Sequence, residues 1–512
     1  MFVKSYAAAI VGIDAVSVNV EVSLAESGLG LFLVGLPDNA VKESQERIRA
    51  AFESSGKYLT AKKLVVNLAP ADLRKEGSAF DLPIAVAILA ATSQVAGDKL
   101  SETMFLGELS LDGSLRAIKG ALPLAAEARR SGLRQIVLPQ ENCSEAAFVE
   151  GVDVLGVSSL GEVIEWLNGD RIILPTTPTQ SEEWGEEDAY AEDFSDVKGQ
   201  HHVKRALEIA AAGGHNLIMV GAPGSGKTML AKRLPTIMPP LSPDEALETT
   251  KIHSVAGKLG VKRGLLRQRP FRAPHHLASQ VALIGGGTSP QPGEVSLANN
   301  GILFLDELPE FGRSVLEVLR QPLEDKMITI SRARYTVDYP ANFTLVASMN
   351  PCPCGYYNHP DKECTCPSGA VQRYMSRISG PLMDRIDLHI EVTPVPITAL
   401  KGDEHAETSA QVRERVIAAR AVQSRRYAGI EGVHTNAMIN SKMLRIFCPL
   451  TDQARSLLEL AMGRLHLSAR AYDRIIKVAR TIADLEECEN IELKHLSEAI
   501  NYRSLDREGW GR

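Results

Sequence analysis

Gly221-Ala222-Pro223-Gly224-Ser225-Gly226-Lys227-Thr228 is the stretch that decides the fold. The apolar run Asn216 to Val220 (NLIMV) precedes it and reads as a buried strand, and Met229 to Leu234 (MLAKRL) follows it as the opening turns of a helix. Strand, glycine-rich turn, Lys-Thr and helix together make the full context of a phosphate-binding loop. Glycines let backbone N–H groups point at phosphate oxygens, and the helix N-terminus adds the positive end of its dipole. On this reading residues Gly221 to Gly226 cradle a nucleotide. Lys227 reaches the β- and γ-phosphates and the Thr228 hydroxyl holds Mg²⁺. The plain alternative, a turn that only joins strand to helix, leaves the filled motif and both flanks unexplained.

A second run, Gly301 to Leu308 (GILFLDEL), reads as a central parallel strand that ends in an acidic pair at the active edge. Asp306 would hold Mg²⁺, directly or through water, and Glu307 would orient and polarise the attacking water. A buried strand with an exposed acidic end is the alternative, and the phosphate loop about 80 residues earlier weighs against it. A third strand, Phe343 to Ser348, ends at Met349-Asn350-Pro351. A polar side chain at such a tip, beside the Asp-Glu strand, can touch the γ-phosphate or the attacking water. Arg385 lies in Leu382 to Asp387 (LMDRID). An arginine entering a neighbour's site stabilises charge on the transferring phosphoryl group; a surface salt bridge with Asp384 or Asp387 is the other reading.

With 512 residues, the chain is too long for one core, and two to four domains are expected. Hydrophobic content of 44% and charged content of 23% are ordinary for soluble globular proteins. No apolar run reaches the length of a membrane span, and the opening MFVKSYAAAI lacks the regions of a signal peptide. Seven cysteines, an odd number with four clustered, argue for a reducing compartment. The expectation is a cytoplasmic protein with no membrane partner. A net charge of -7 neither supports nor excludes nucleic acid, because net charge averages over surfaces and positive charge is needed only where a strand binds.

Four segments carry a family resemblance: RPFRAPHH at Arg269–His276, the glycines Gly285 to Gly287, PGEVSL at Pro292–Leu297 and NGILFLDE at Asn300–Glu307. They resemble the magnesium-chelatase-like AAA+ ATPases, and most of all their ComM/YifB group, over essentially the whole chain. The resemblance implies a multidomain α/β protein. An N-terminal ribosomal-S5-like (Lon-protease-like) α/β domain would fill residues 1–170 and an acidic linker 171–195. An AAA+ core with a parallel sheet would fill 196–400, with a helix-2 insertion, a pre-sensor-1 hairpin and a four-cysteine loop. A helical lid would fill 401–512. The resemblance further implies a homo-hexameric, ATP- and Mg²⁺-dependent DNA motor, a branch-migration helicase acting in recombination during natural transformation. Single-stranded or branched DNA would be its partner. It makes Asn350 the sensor-1 residue, Arg385 the arginine finger and Arg470 the sensor-2 residue, with Arg474 one turn on as the alternative.

In residues 1–170, Val16 to Ser23 and Lys63 to Leu68 alternate as strands, and Asn39 to Phe52 and Leu82 to Ala91 read as helices. Asn67 to Ser78 resembles the domain shared with Lon-type proteases and RadA. The peptidase nucleophile falls near Ser78-Ala79, shifted from the Lon spacing, and its lysine position falls near Leu122 and not on Lys119. A serine nucleophile needs a base within hydrogen-bond reach, so the domain reads as non-catalytic. The stretch from Pro175 to Tyr190 shifts from Pro, Thr and Ser to an acidic run and reads as a solvated linker. Phe194 to Gln200 opens the ATPase domain; by resemblance it lies over the adenine. His201-His202 reads as a helix start ahead of a metal pair.

Residues 240–300 read as one long insertion, a length compact domains rarely carry without a use. It holds Arg263, Arg267, Arg269, Arg272, His275 and His276 with Phe271, and basic residues beside an aromatic suit phosphate contact and base stacking. Arg272, His275 and His276 are candidate DNA contacts, a solvated loop or subunit contact being the alternative. Lys326 to Tyr339 reads as a β-hairpin whose tip would offer Arg332 and Arg334, with Tyr335, to a strand backbone. Plain edge-strand charge would explain them as well. Cys352, Cys354, Cys364 and Cys366 make two C-x-C pairs around a short loop, four thiolates that could close on structural Zn²⁺, with His359 a weaker ligand and free thiols the alternative. Residues 403–508 are helical in pattern: one long helix from Ala406 to Arg420, then helices Thr451 to Leu465 and Ala469 to Leu485. Three rival functions remain: a chelatase motor remodelling a protein partner, a Lon-like protease, and a nucleotide-binding scaffold without turnover.

Overall fold

The computed structural model describes residues 2–25, 27–177, 190–259, 264–287, 290–332, 335–394, 406–465 and 467–506. The chain forms two compact units. One comprises Met1–Trp184, Pro243–Leu266 and Pro290–Pro292, the other Gly185–Ser242, Arg267–Ser289 and Gly293–Arg512.

The first unit is built on a seven-stranded mixed sheet. Its strand order is Leu31–Val34, Leu64–Ala69, Asp14–Leu24, Phe2–Val11, Thr103–Phe105, Gln135–Pro139 and Asp153–Val157. Alternation fixes which face is inward: Val18, Val20 and Val22 are all fully buried. The helix Asp81–Ala91 is buried at every position, which its run of apolar residues dictates. Its one charge, Asp81, takes both arms of Arg47, at 2.6 and 2.9 Å. Ser78 donates its hydroxyl proton to Glu108, so its partner is a carboxylate where a peptidase would need a lysine.

The helix Pro243–Val255 belongs to this first unit. The stretch read as a single insertion is therefore split: Pro243–Leu266 and Pro290–Pro292 belong to the first unit, and the rest belongs to the second. The cause is apolar. Leu247 on the helix and Leu265 beyond it pack on the first unit's core. Gly120 N–H donates to Ser254 O at 3.2 Å, and Lys251 pairs with Asp14 at 3.0 Å. Arg263 lies outside the described residues.

The second unit carries a five-stranded parallel sheet in the order Phe271–Arg272, Ile302–Leu305, Thr344–Met349, Leu217–Gly221 and Leu388–Val392. The strands Ile302–Leu305, Thr344–Met349 and Leu217–Gly221 are buried throughout, as central parallel strands must be. Their carboxyl ends all open on one edge, where an open α/β sheet binds its ligand. The hairpin pairs Met327–Arg332 with Tyr335–Pro340, antiparallel, with Arg332 opposite Tyr335. Arg334 and the side chain of Arg332 lie outside the described residues.

Helices Ser409–Arg426, Ser441–Phe447, Asp452–Leu465, Ala469–Leu485 and Leu493–Asn501 complete the unit. The first starts three residues later than its apolar spacing alone indicates. Thr408 caps it, and Gln411 returns the bond in a capping box. Among the described residues no helix is long and apolar enough to cross a membrane.

His215 and His389 are among the buried histidines of this unit. Burial holds both imidazoles below their ordinary value, so both are neutral in the fold; Asp387 pulls each of them the other way. Unfolding frees them to take up protons below about pH 6.5, so stability falls as pH drops through that value. Each histidine contributes a slope of up to about 1.4 kcal/mol per pH unit. Urea unfolding of His389→Gln between pH 6.5 and 5 should show a slope shallower than wild type by about one proton.

Candidate nucleotide site

The strand Leu217–Gly221 runs into the glycine-rich loop, and the helix Lys227–Ile237 leaves it. Gly226 caps that helix with φ +89°, a conformation that only glycine adopts freely, and this turns the next N–H groups towards the loop's interior. Lys227 folds back over the loop. Its Nζ donates to Gly221 O at 2.6 Å and Ala222 O at 3.0 Å, and reaches Asn350 Oδ1 at 3.4 Å. Burial pushes its ammonium below the ordinary lysine value, while Asp306 and Glu307 pull it back up. The Ser225 hydroxyl is buried and has no partner among the described residues. A buried orphan hydroxyl beside a lysine parked on carbonyls is the state expected of a loop shaped for phosphate.

The Mg²⁺ candidates meet. Thr228 Oγ1 donates to Asp306 Oδ2 at 3.0 Å, and the Ser348 hydroxyl donates to Asp306 Oδ1. A hydroxyl and a carboxylate at a phosphate loop are the hard oxygen donors that magnesium takes. Glu307 follows in the left-handed region, φ +55° and ψ +50°, with its side chain 53% exposed. His276 Nδ1 stands 3.5 Å from Glu307 Oε2, and its ring lies 4.2 Å from that of His275.

All three insertion candidates have partners within the chain. Arg272 is engaged by both oxygens of Glu294, at 2.6 and 2.9 Å. His276 faces the acidic pair, and Nδ1 of His275 accepts from Leu277 N–H at 3.2 Å. Arg269 donates to Pro239 O and Asn300 O, each at 2.6 Å. The partners of Arg269 and Arg272 come from chain segments that the linear sequence separates.

Arg385 is buried. It pairs with Glu324 at 2.6 Å and with Pro381 O at 2.6 Å, and not with Asp384 or Asp387. Its Nε has no partner among the described residues. The two lid arginines part company. Arg470 is 62% exposed and reaches Asp384 at 3.4 Å, a loose tether. Arg474 is held at 2.7 Å on the buried Asp387, a structural pair.

The four clustered cysteines converge, every sulfur within 4.8 Å of the others. Cys352–Cys354, Cys352–Cys364 and Cys354–Cys364 separations are 3.3, 3.7 and 3.6 Å. A tetrahedral zinc with bonds of about 2.3 Å would set its sulfurs about 3.8 Å apart, so the cage has the right size. Cys352 Sγ also accepts from Tyr357 N–H at 3.3 Å. His359 stands apart from the cage: its Nδ1 accepts from Asp361 N–H.

Family models match in three blocks: "Subunit ChlI of Mg-chelatase" over residues 20–142, "Magnesium chelatase, subunit ChlI" over 193–400 and "Magnesium chelatase, subunit ChlI C-terminal" over 406–503. The "Competence protein ComM" of Haemophilus influenzae is 46% identical over 505 residues, covering 98% of this chain and 97% of its own. The chain belongs to the ComM/YifB group of the magnesium-chelatase AAA+ family. Within that group the "Uncharacterized protein YifB" of Escherichia coli is 45% identical, with 98% of this chain and 96% of that one covered. The likeness to a true chelatase is fainter: the "Magnesium-chelatase 38 kDa subunit" of Cereibacter sphaeroides is 25% identical over 31% of this chain and 52% of its own.

In this ComM/YifB family member, Ser348 is a site residue that motif reading passes over. Its signal is positional: Leu305 pairs with Ala347, so the next residue on that strand stands beside Asp306.

Proposed function

We propose that this chain is the ATP-hydrolysing subunit of a homo-hexameric DNA motor, a branch-migration helicase serving recombination during natural transformation. The observation that carries the hydrolytic half is the meeting of Lys227, Thr228, Asp306, Glu307 and Asn350 at one sheet edge. Lys227 binds the β- and γ-phosphates, exchanging its two carbonyl partners for phosphate oxygens. Thr228 and Asp306 would hold Mg²⁺, which would supply positive charge to the phosphate oxygens. Glu307 accepts a proton from the attacking water, and Asn350 orients that water or the γ-phosphate. The DNA half draws on the family and on the name of the Haemophilus relative. The hairpin tip and residues 267–300 are the candidate strand contacts. The protein works in the cytoplasm, and Cys352, Cys354, Cys364 and Cys366 hold a structural zinc, four protein ligands leaving no open position.

Arg385 serves a neighbour's site once its pair with Glu324 opens, and Arg470 leaves Asp384 for the nucleotide. A mixing experiment tests the shared site. Lys227→Ala and Arg385→Ala should each lack turnover alone, and mixtures should regain about a quarter to a half of wild-type activity, because mixed rings contain intact interfaces. Mixtures that stay inactive would put Arg385 outside the catalytic interface.

A further inference from the structure

The cysteine loop touches the phosphate-binding loop at two places. Asn350, the residue at the strand tip, accepts from Lys227 Nζ at 3.4 Å. Five residues on, Gly355 has φ +87°, and a Cβ built there would stand 2.6 Å from Cδ and 2.9 Å from Cγ of Pro223. The backbone at Gly355 is thus pressed on the ring of Pro223, closer than any other residue type allows. Between the two contacts lie Cys352 and Cys354, and Gly355 N–H closes the turn on Cys352 O at 3.0 Å.

The other contacts of this segment are local, such as the Tyr356 ring against His359 and Lys362. Among the described residues no helix or strand occurs between Met349 and Ala370. Cys352 is buried while residues 358–363 are mostly exposed, so the loop has no apolar core of its own. A loop of this length keeps one shape only if something fixes it, and four converging thiols are the group on hand to do so.

We infer that the four-cysteine cage, loaded with a thiophilic divalent cation of the zinc class, is a clamp that positions the phosphate-binding loop through Gly355 on Pro223 and Asn350 on Lys227. Nucleotide affinity therefore depends on a metal that touches no nucleotide. This rests on the zinc reading above and adds the mechanical link to the ATP site. Gly355 and Pro223 are positioning residues: they act through the loop that binds phosphate.

The test uses the full-length protein and two readouts, metal content and binding of a fluorescent ATP analogue with Mg²⁺ in excess. Purified wild type should carry one zinc per chain. Stripping it with a zinc-selective chelator should weaken nucleotide binding about tenfold, and one equivalent of Zn²⁺ should restore it. Gly355→Ala should retain its zinc yet also bind about tenfold more weakly, since the added methyl must push Pro223 away. The chelation arm stands alone if that variant fails to fold. Protein that carries no zinc and does not take it up overturns the metal reading and the clamp with it. Zinc at one per chain, with affinity unchanged both by stripping and by Gly355→Ala, overturns the clamp and leaves the metal reading standing.

Discussion

Glu307→Gln is expected to lower ATP turnover by roughly 10²–10⁴-fold, the range for removing a positioned general base. Glutamine keeps the shape of the side chain but cannot accept a proton from water at neutral pH. Its neighbours are left intact: Asp306 keeps Thr228 and Ser348, and Lys227 keeps Asn350. Nucleotide binding should therefore stay within about twofold of wild type, which separates this variant from any that damages the loop. Steady-state phosphate release and equilibrium binding of an ATP analogue check the two halves. A variant that keeps a tenth or more of wild-type turnover would move the base elsewhere, and His276, 3.5 Å from Glu307, would be the first residue to re-examine.

The largest expected loss of stability comes from Asp387→Ala. Asp387 is 1% exposed, and three segments meet on it. Oδ1 accepts from Arg474 at 2.7 Å, and Oδ2 from Asn216 N–H at 3.1 Å and from His215 at 3.3 Å. Burial opposes its charge, but Arg474, His215 and Lys477 together hold the carboxyl far below the usual carboxylate range. Alanine removes the acceptor and leaves the partners behind. Losing one member of a buried pair costs about 3–5 kcal/mol. Arg474 keeps a fifth of its side chain exposed, which places the expected loss near the lower end, about 3 kcal/mol. Urea unfolding measures it. A loss under about 1 kcal/mol would class the cluster with surface ion pairs. Because Arg474 sits on the helix Ala469–Leu485 and Asn216 leads into the phosphate-loop strand, the same variant should loosen the lid from the core.

What could be read from the linear chain was whatever is local. The phosphate loop, the Asp-Glu strand and the hairpin each complete their pattern within a dozen or so residues, and the physics that shapes them is short-range. Pairings between distant segments left no such mark. Nothing near Arg385 points to Glu324, nothing near Glu307 points to His276, and Asp387 looks like one acidic residue among several. The helix Pro243–Val255 shows the same limit at larger scale. Ala246 and Ile252 are buried there, yet the sequence reads only as part of one insertion and does not name the core the helix joins. Ser348 falls between these cases, since the register of adjacent parallel strands, once known, places it next to Asp306.

The most direct test of the central claim is movement of a labelled four-way DNA junction by wild type and by Glu307→Gln, each with ATP and Mg²⁺. The account predicts that wild type converts the junction to its exchanged products only when ATP is present, and that the variant binds the junction without moving it. Wild-type protein that hydrolyses ATP yet moves no branched or forked DNA would contradict the motor reading, and would turn the same nucleotide site over to the remodelling of a protein partner.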